Sequence, residues 1–314
     1  MNQSQLPNRR TATGGCSMRW QLLVLCFLWA ARLPAQESLG VDPNRDIRQR
    51  AESGEANAQC RLGLMFCNGD GVAQDFVEAL KWLRKGAEQH NARAEYNLGV
   101  CYEHGEGVAQ DLSEAAKWYH KAAELGYPRA QSNLGVCYFN GWGVDKDQAA
   151  AAAWYKRAAD QGYARAQRNL GVCFAVGAGV GKDPGEAVRW YRKAAEQGDA
   201  GAQYNLGVAY YKARGTAKND EEAVKWFRLA AEQGYAASEF NLGVCLLNGE
   251  GVVPDGVEAC KWISMAAAQG YADAKNALPT IQGQLTSEQI AQASELVRSF
   301  KQAQHANEGG FDSN

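Results

Sequence analysis

The chain has 314 residues, with 33 basic against 35 acidic side chains and a formal net charge of −2. That balance sets up no strong field for DNA, RNA or an anionic membrane surface, so a nucleic-acid partner is not expected. Nine cysteines suggest a disulfide framework by number alone, a reading that their positions remove.

At the N-terminus Arg9, Arg10 and Arg19 precede an apolar run from Trp20 to Ala31 and then Leu33-Pro34-Ala35-Gln36. A basic start, about a dozen apolar residues and a small residue at the exit describe an export signal cut after Ala35. The run is too short to span a bilayer. Met18 is an alternative start that keeps the signal and drops the leader. The Arg9-Arg10 pair lacks the apolar residues that follow a twin-arginine motif, and Leu25 is bulky where the cleavage box of a lipoprotein needs a small residue before Cys26. Residues 1–35 are read as a signal peptide, the mature protein as exported, periplasmic or secreted, without stable membrane insertion after cleavage.

Within residues 36–54, Asp42 to Ser53 reads as a lone helix in register with the second helix of the units that follow, an N-terminal cap for a stack. From there the phrase Asn97-Leu98-Gly99-Val100 recurs at Asn133, Asn169, Asn205 and Asn241, with a variant at Arg61 to Leu64, always 36 residues on. A fixed period of that size marks a stacked-repeat architecture. Each unit reads as two helices. The first, for example Arg129 to Asn140, places Ala130, Leu134, Cys137 and Tyr138 on one stripe of a 3.6-residue helix. Glycine pairs such as Gly141 and Gly143 turn the chain back; the fifth unit has Ala213 in place of the first glycine.

The second helix opens on Asp75, Asp111, Asp147, Asp183, Asn219 and Asp255, with Glu78, Glu114, Glu186, Glu222 and Glu258 three residues on, which reads as a recurring capping box rather than general acid and base pairs. Trp82, Trp118, Trp154, Trp190, Trp226 and Trp262 form a column that reads as inter-repeat core rather than a ligand-stacking ladder. At Ala277-Leu278-Pro279 the pattern decays, and proline is expected to forbid a regular helix there. Leu285-Thr286-Ser287-Glu288 restarts a helix to about Ala303 that should cover the C-terminal end, with Asn307 to Asn314 frayed. The solenoid therefore spans 55–277, and 278–314 hold the C-terminal capping helix and tail.

Cys101, Cys137, Cys173 and Cys245 share one column of the repeat, shared with Met65 and Ala209 in the other copies. Equivalent positions on stacked helices lie about 8 to 10 Å apart, beyond the reach of a disulfide, so these read as buried thiols. Cys60 and Cys67 share a helix and sit too far apart along it to bridge. His90, His104, His120 and His305 have no metal-ligand spacing with the cysteines, and no metal or cofactor is expected.

With these positions laid out, the repeats resemble the Sel-1-like repeat family, a 36-residue relative of the tetratricopeptide repeat. Ala130, Leu134-Gly135, Tyr138, Gly141, Gly143-Val144, Asp147, Ala151, Tyr155, Ala158-Ala159 and Gly162 carry the match in one copy. The resemblance implies an all-α fold, a right-handed α/α superhelical solenoid of about six helix-turn-helix repeats with capping helices. It implies a non-catalytic adaptor that binds a protein or peptide. A cysteine-rich subgroup is associated with β-lactam binding and hydrolysis and ties its repeats with cysteines eight residues apart. Here those pairs read Ala123/Gln131, Ala159/Gln167 and Ala195/Gln203, so a β-lactam- or glycan-acting envelope hydrolase is the alternative.

A partner is expected on the concave wall, formed by the first helices. Asn97, Asn133, Asn169, Asn205 and Asn241 make a ladder of amides suited either to an extended peptide backbone or to tying helices together. The neighbouring column varies, reading Cys60, Tyr96, Ser132, Arg168, Tyr204 and Phe240, and its aromatic and arginine members are of hot-spot type. Arg93, Arg129 and Arg165 add a cationic column for an acidic segment, or else a solvated edge. The expected partner-binding set is Tyr96, Asn97, Arg129, Asn133, Arg165, Arg168, Asn169, Tyr204, Asn205, Phe240 and Asn241.

Overall fold

A computed structural model describes residues 44–309, and the expected signal segment, its expected cleavage position and the last five residues lie outside them. Among the described residues there are fifteen helices and no strand, an all-α solenoid. After α1 (Arg45–Glu52) come six pairs: α2 (Ala56–Asn68) with α3 (Phe76–Glu88), α4 (Ala92–His104) with α5 (Leu112–Glu124), and α6 (Pro128–Asn140) with α7 (Gln148–Asp160). The stack continues with α8 (Ala164–Val176) and α9 (Pro184–Glu196), α10 (Ala200–Tyr211) and α11 (Asp220–Glu232), then α12 (Ala236–Asn248) and α13 (Gly256–Ala268). It ends on α14 (Ala272–Gly283) and α15 (Ser287–Gly309). The unit from Ile47 onward is compact by itself.

The repeated leucine, Leu98, Leu134, Leu170, Leu206 and Leu242, is at most 1% exposed, and the glycine after it lets the paired helix close in. A Cβ on Gly99 would stand 2.5 Å from the Tyr119 ring, and one on Gly135 2.6 Å from that of Tyr155. Both are far inside contact distance, so the helices can pack this closely only over glycine. Of each turn pair, the first glycine caps the helix in the left-handed region, as at Gly141 with φ 79°. The second lies against the start of the preceding unit's second helix: a Cβ on Gly143 would be 2.0 Å from the Leu112 carbonyl oxygen. Ala213 keeps a positive φ of 52°, although it has a side chain.

The aspartate caps form as expected. Asp75 Oδ1 accepts from the N–H groups of Val77 and Glu78 at 3.0 and 2.9 Å, and the same pattern starts α5, α7 and α13. The reciprocal half of the capping box is not made. The cap residue's own N–H donates instead to a first-helix carbonyl nine residues back, Asp75 to Phe66 and Asp111 to Tyr102, each at 2.9 Å. The glutamates then pair elsewhere, Glu78 with Lys81 and Glu114 with Lys117, and Glu258 with Arg228.

The tryptophan column grades from half-buried at Trp82, Trp118 and Trp154 to 1% exposure at Trp262. A cation from the next turn covers several of these rings, Lys121 Nζ lying 3.9 Å from the Trp118 centroid and Lys193 Nζ 4.0 Å from that of Trp190. Pro279 does not stop α14, contrary to the expectation from sequence. Pro279 and Lys275 are both exposed, so the carbonyl freed by the missing N–H sits on the solvent side of the helix. Thr286 and Gln289 form a true capping box at 2.9 and 3.2 Å, and α15 runs to Gly309, six residues past the expected end. Its Phe300 meets Trp262 edge-on at 5.3 Å, closing the last repeat.

Candidate functional site on the first helices

Three cavities follow one another along the first helices. One of about 290 Å³ is lined by Tyr96, Glu103, Asn133, Trp142 and Arg165; the next, of about 260 Å³, by Phe139, Tyr155, Arg165, Arg168 and Asn169. A third, of about 620 Å³, takes in Val176, Lys182, Asn205, Ala213 and Arg214. Tyr96, Asn133, Arg165, Arg168, Asn169 and Asn205 of the expected set thus line cavities. Asn97, Arg129, Tyr204, Phe240 and Asn241 line none of the three.

The amide ladder is only partly free. Asn97 Nδ2 donates to the Arg93 carbonyl of its own helix at 2.6 Å. The Tyr119 hydroxyl donates to Glu103; burial, then Glu103, pushes that phenol far above its usual range against an opposing pull from Asn133. Arg93, Arg129 and Arg165 are exposed and take part in no ion pair among the described residues.

The variation in the next column has a packing cause that the sequence reading missed. Four of its six members meet the residue 31 positions on, in the loop before the next first helix. Tyr96 meets Tyr127 and Tyr204 meets Tyr235 with centroids 5.2 Å apart, and Phe240 meets Tyr271 at 5.5 Å. Where that loop carries Asp199, the column carries Arg168, and the two pair at 3.1 Å. The covarying charge pair was visible in the sequence; the offset that links it was not, because it is set by how one unit seats on the next.

Among the described residues every cysteine is free, and the buried column stands at 6% exposure or less. Burial pushes Cys60 and Cys173 up to about 11 and Cys137 and Cys245 up to about 12, so these are inert thiols in the core. Cys67 and Cys101, on adjacent first helices, act on each other's thiols, which raises Cys101 and lowers Cys67. No group of three or more His, Cys, Asp or Glu side chains among the described residues is arranged to hold a metal. No helix among them is long and apolar enough to cross a membrane.

The Sel1 repeat model matches residues 56–91, 92–127, 128–163, 164–199, 200–235 and 236–271, so the chain belongs to the Sel1 repeat family, whose members generally act as protein-interaction scaffolds. Among solved structures it is similar to a protective antigen of uropathogenic Escherichia coli with an SLR fold, at 38% identity and a TM-score of 0.72, over 82% of this chain and 56% of that one. The chain thus spans little more than half the length of that protein. It is also similar to a Sel1 repeat protein from Oxalobacter formigenes, at 35% identity and a TM-score of 0.64, over 68% of this chain and 85% of that one. No curated protein matches the chain.

Proposed function

We propose that this protein is a non-catalytic adaptor that, after export, holds an extended acidic segment of a partner protein along its first helices. The observation that carries the reading is the row of exposed guanidinium groups without ion pairs among the described residues, Arg93, Arg129 and Arg165, with Arg165 lining two successive cavities. Guanidinium groups bind carboxylates in a bidentate fork, and a row one repeat apart selects a long ligand over a compact one. Asn133 and Asn169 in those two cavities, and Asn205 in the third, can donate to and accept from a peptide backbone. The family's usual role as an interaction scaffold supports binding over chemistry.

The test is charge reversal at the three arginines together, Arg93→Glu, Arg129→Glu and Arg165→Glu. Each side chain is exposed, so the fold should hold, checked by helical circular dichroism and melting. Wild-type protein on a resin should capture a partner from native extract at about 50 mM salt and release it at about 500 mM, where screening shortens to a few Å. The reversed variant should capture none. Equal capture by both proteins would overturn the reading.

A further inference from the structure

Most repeats lock to their neighbours through one side-chain relay. A buried glutamine on the first helix donates from Nε2 to the carbonyl eight residues earlier, Gln59 to Ala51 and Gln131 to Ala123 at 3.1 Å, Gln167 to Ala159 and Gln203 to Ala195 at 3.2 Å. Its oxygen accepts from a second glutamine 30 residues on, Gln89, Gln161, Gln197 and Gln233 in turn, at 2.7 to 2.8 Å. The sixth repeat has Glu239 in the first role and keeps the donor, Gln269, at 2.9 Å.

The second repeat breaks the relay at both ends. Glu95 stands for the buried glutamine, and Leu125 stands where the donor amide should be. The Glu95 side chain is 2% exposed; one carboxyl oxygen has no hydrogen-bond partner, and the other lies 3.9 Å from His90 Nδ1. His90 is itself a departure. The other copies of that position are glycines, and His90 keeps the left-handed backbone at φ 57°, which costs energy in a residue with a Cβ.

These three substitutions meet in one cavity of about 420 Å³, with Trp118 and Lys121 on its wall and Glu88 and Glu124 beside them. It shares no lining residue with the cavities on the first helices. A buried carboxyl without a donor is expensive, and burial indeed pushes Glu95 above its usual range against the pull of His90 and Lys121. We propose that this cavity is a second binding site, for a primary ammonium group, whose N–H donors serve Glu95 in place of the missing amide. A neutral amide could fill the same space, as Gln269 does for Glu239. Three carboxylates, Glu88, Glu95 and Glu124, outnumber the two basic side chains on the wall, Lys121 and His90, and select a cation instead. Its source is either a free alkylamine or a lysine side chain of a partner.

Calorimetric titration of the full chain tests this with four probes: n-butylammonium, neutral N-butylacetamide, a short lysine-containing peptide, and that peptide with its lysine acetylated. Butylammonium or the lysine peptide should bind, at least tenfold tighter than its neutral counterpart. Binding of butylammonium alone assigns the site to free amines; binding of the peptide assigns it to a partner's lysine. Leu125→Gln restores the repeat's own donor and Glu95→Gln its own acceptor, residues that fold in the neighbouring units. Each should weaken binding at least tenfold while leaving capture on the first-helix arginines unchanged, which separates this site from the proposed groove. Absence of binding by both cationic probes, equal binding of the neutral ones, or unchanged binding by Leu125→Gln would overturn the assignment.

Discussion

Glu239 shows how one side chain can tune a repeat to pH. It is fully buried; one oxygen accepts from Gln269, while the other has no partner. Burial lifts its pKa from 4.5 to about 7, against the opposing pull of the Gln269 hydrogen bond, Lys301 and Lys261. The folded state therefore holds a proton that the unfolded state releases above pH ~4.5. Between about 4.5 and 7 the unfolded chain binds fewer protons than the native one, so this group's contribution to stability falls as pH rises through that window and levels off on either side. Glu239→Gln installs the residue that four other repeats carry and removes the titration. Urea melts at pH 4.5 and pH 8 should show the variant gaining on wild type by on the order of 2 to 3 kcal/mol between the two. A pH-independent difference would refute the buried proton. Neither this nor the Glu95 site was legible in the sequence, because glutamate and glutamine share a column there. What separates them is whether residue 269 or 125 supplies a donor, a relation 30 positions away in the chain.

At the scale of elements, the helices, turns and caps were legible because each obeys a local rule repeated in five or six of the units. Asp147 caps α7, Gly141 ends α6, and Gly135 sets the spacing between them. Proline 279 misled because the local rule was applied without knowing which side of the helix faces water. The glycine's role gives a sharp contrast. A valine at 135 would drive its side chain into the Tyr155 ring, which is 4% exposed and packed between α6 and α7. Gly135→Val should cost about 3 kcal/mol, more than any gain in helix propensity over glycine returns. At Gly181, where a Cβ would meet nothing within 4 Å and φ is not positive, alanine should change stability by less than about 0.5 kcal/mol. Chemical denaturation of the two variants reads the difference, and similar losses at both positions would argue against glycine-gated helix approach.

The unit from Ile47 onward is a one-dimensional stack, so its stability is a chain of nearest-neighbour terms and its ends matter more than in a globular domain. At the C-terminal end α15 supplies the last neighbour. Val297 and Phe300 pack on the same core as Trp262 and Met265, and Gln304 reaches back to donate to the Glu232 carbonyl at 2.9 Å. Without that cover Trp262, now 1% exposed, would face water. Phe300→Ala removes the edge-on ring contact and opens the seam, at a cost of about 3 kcal/mol. In a globular domain that loss would be shared by every buried amide; in a stack it should stay where it is made. Hydrogen exchange of the variant should show protection falling across α13 and α14 and staying near wild type in α4 and α5, more than three repeats away. A uniform fall along the whole chain would mean that the six repeats unfold as one cooperative block. In that case neither the first-helix groove nor the Glu95 cavity could be tuned by substitution without altering the other.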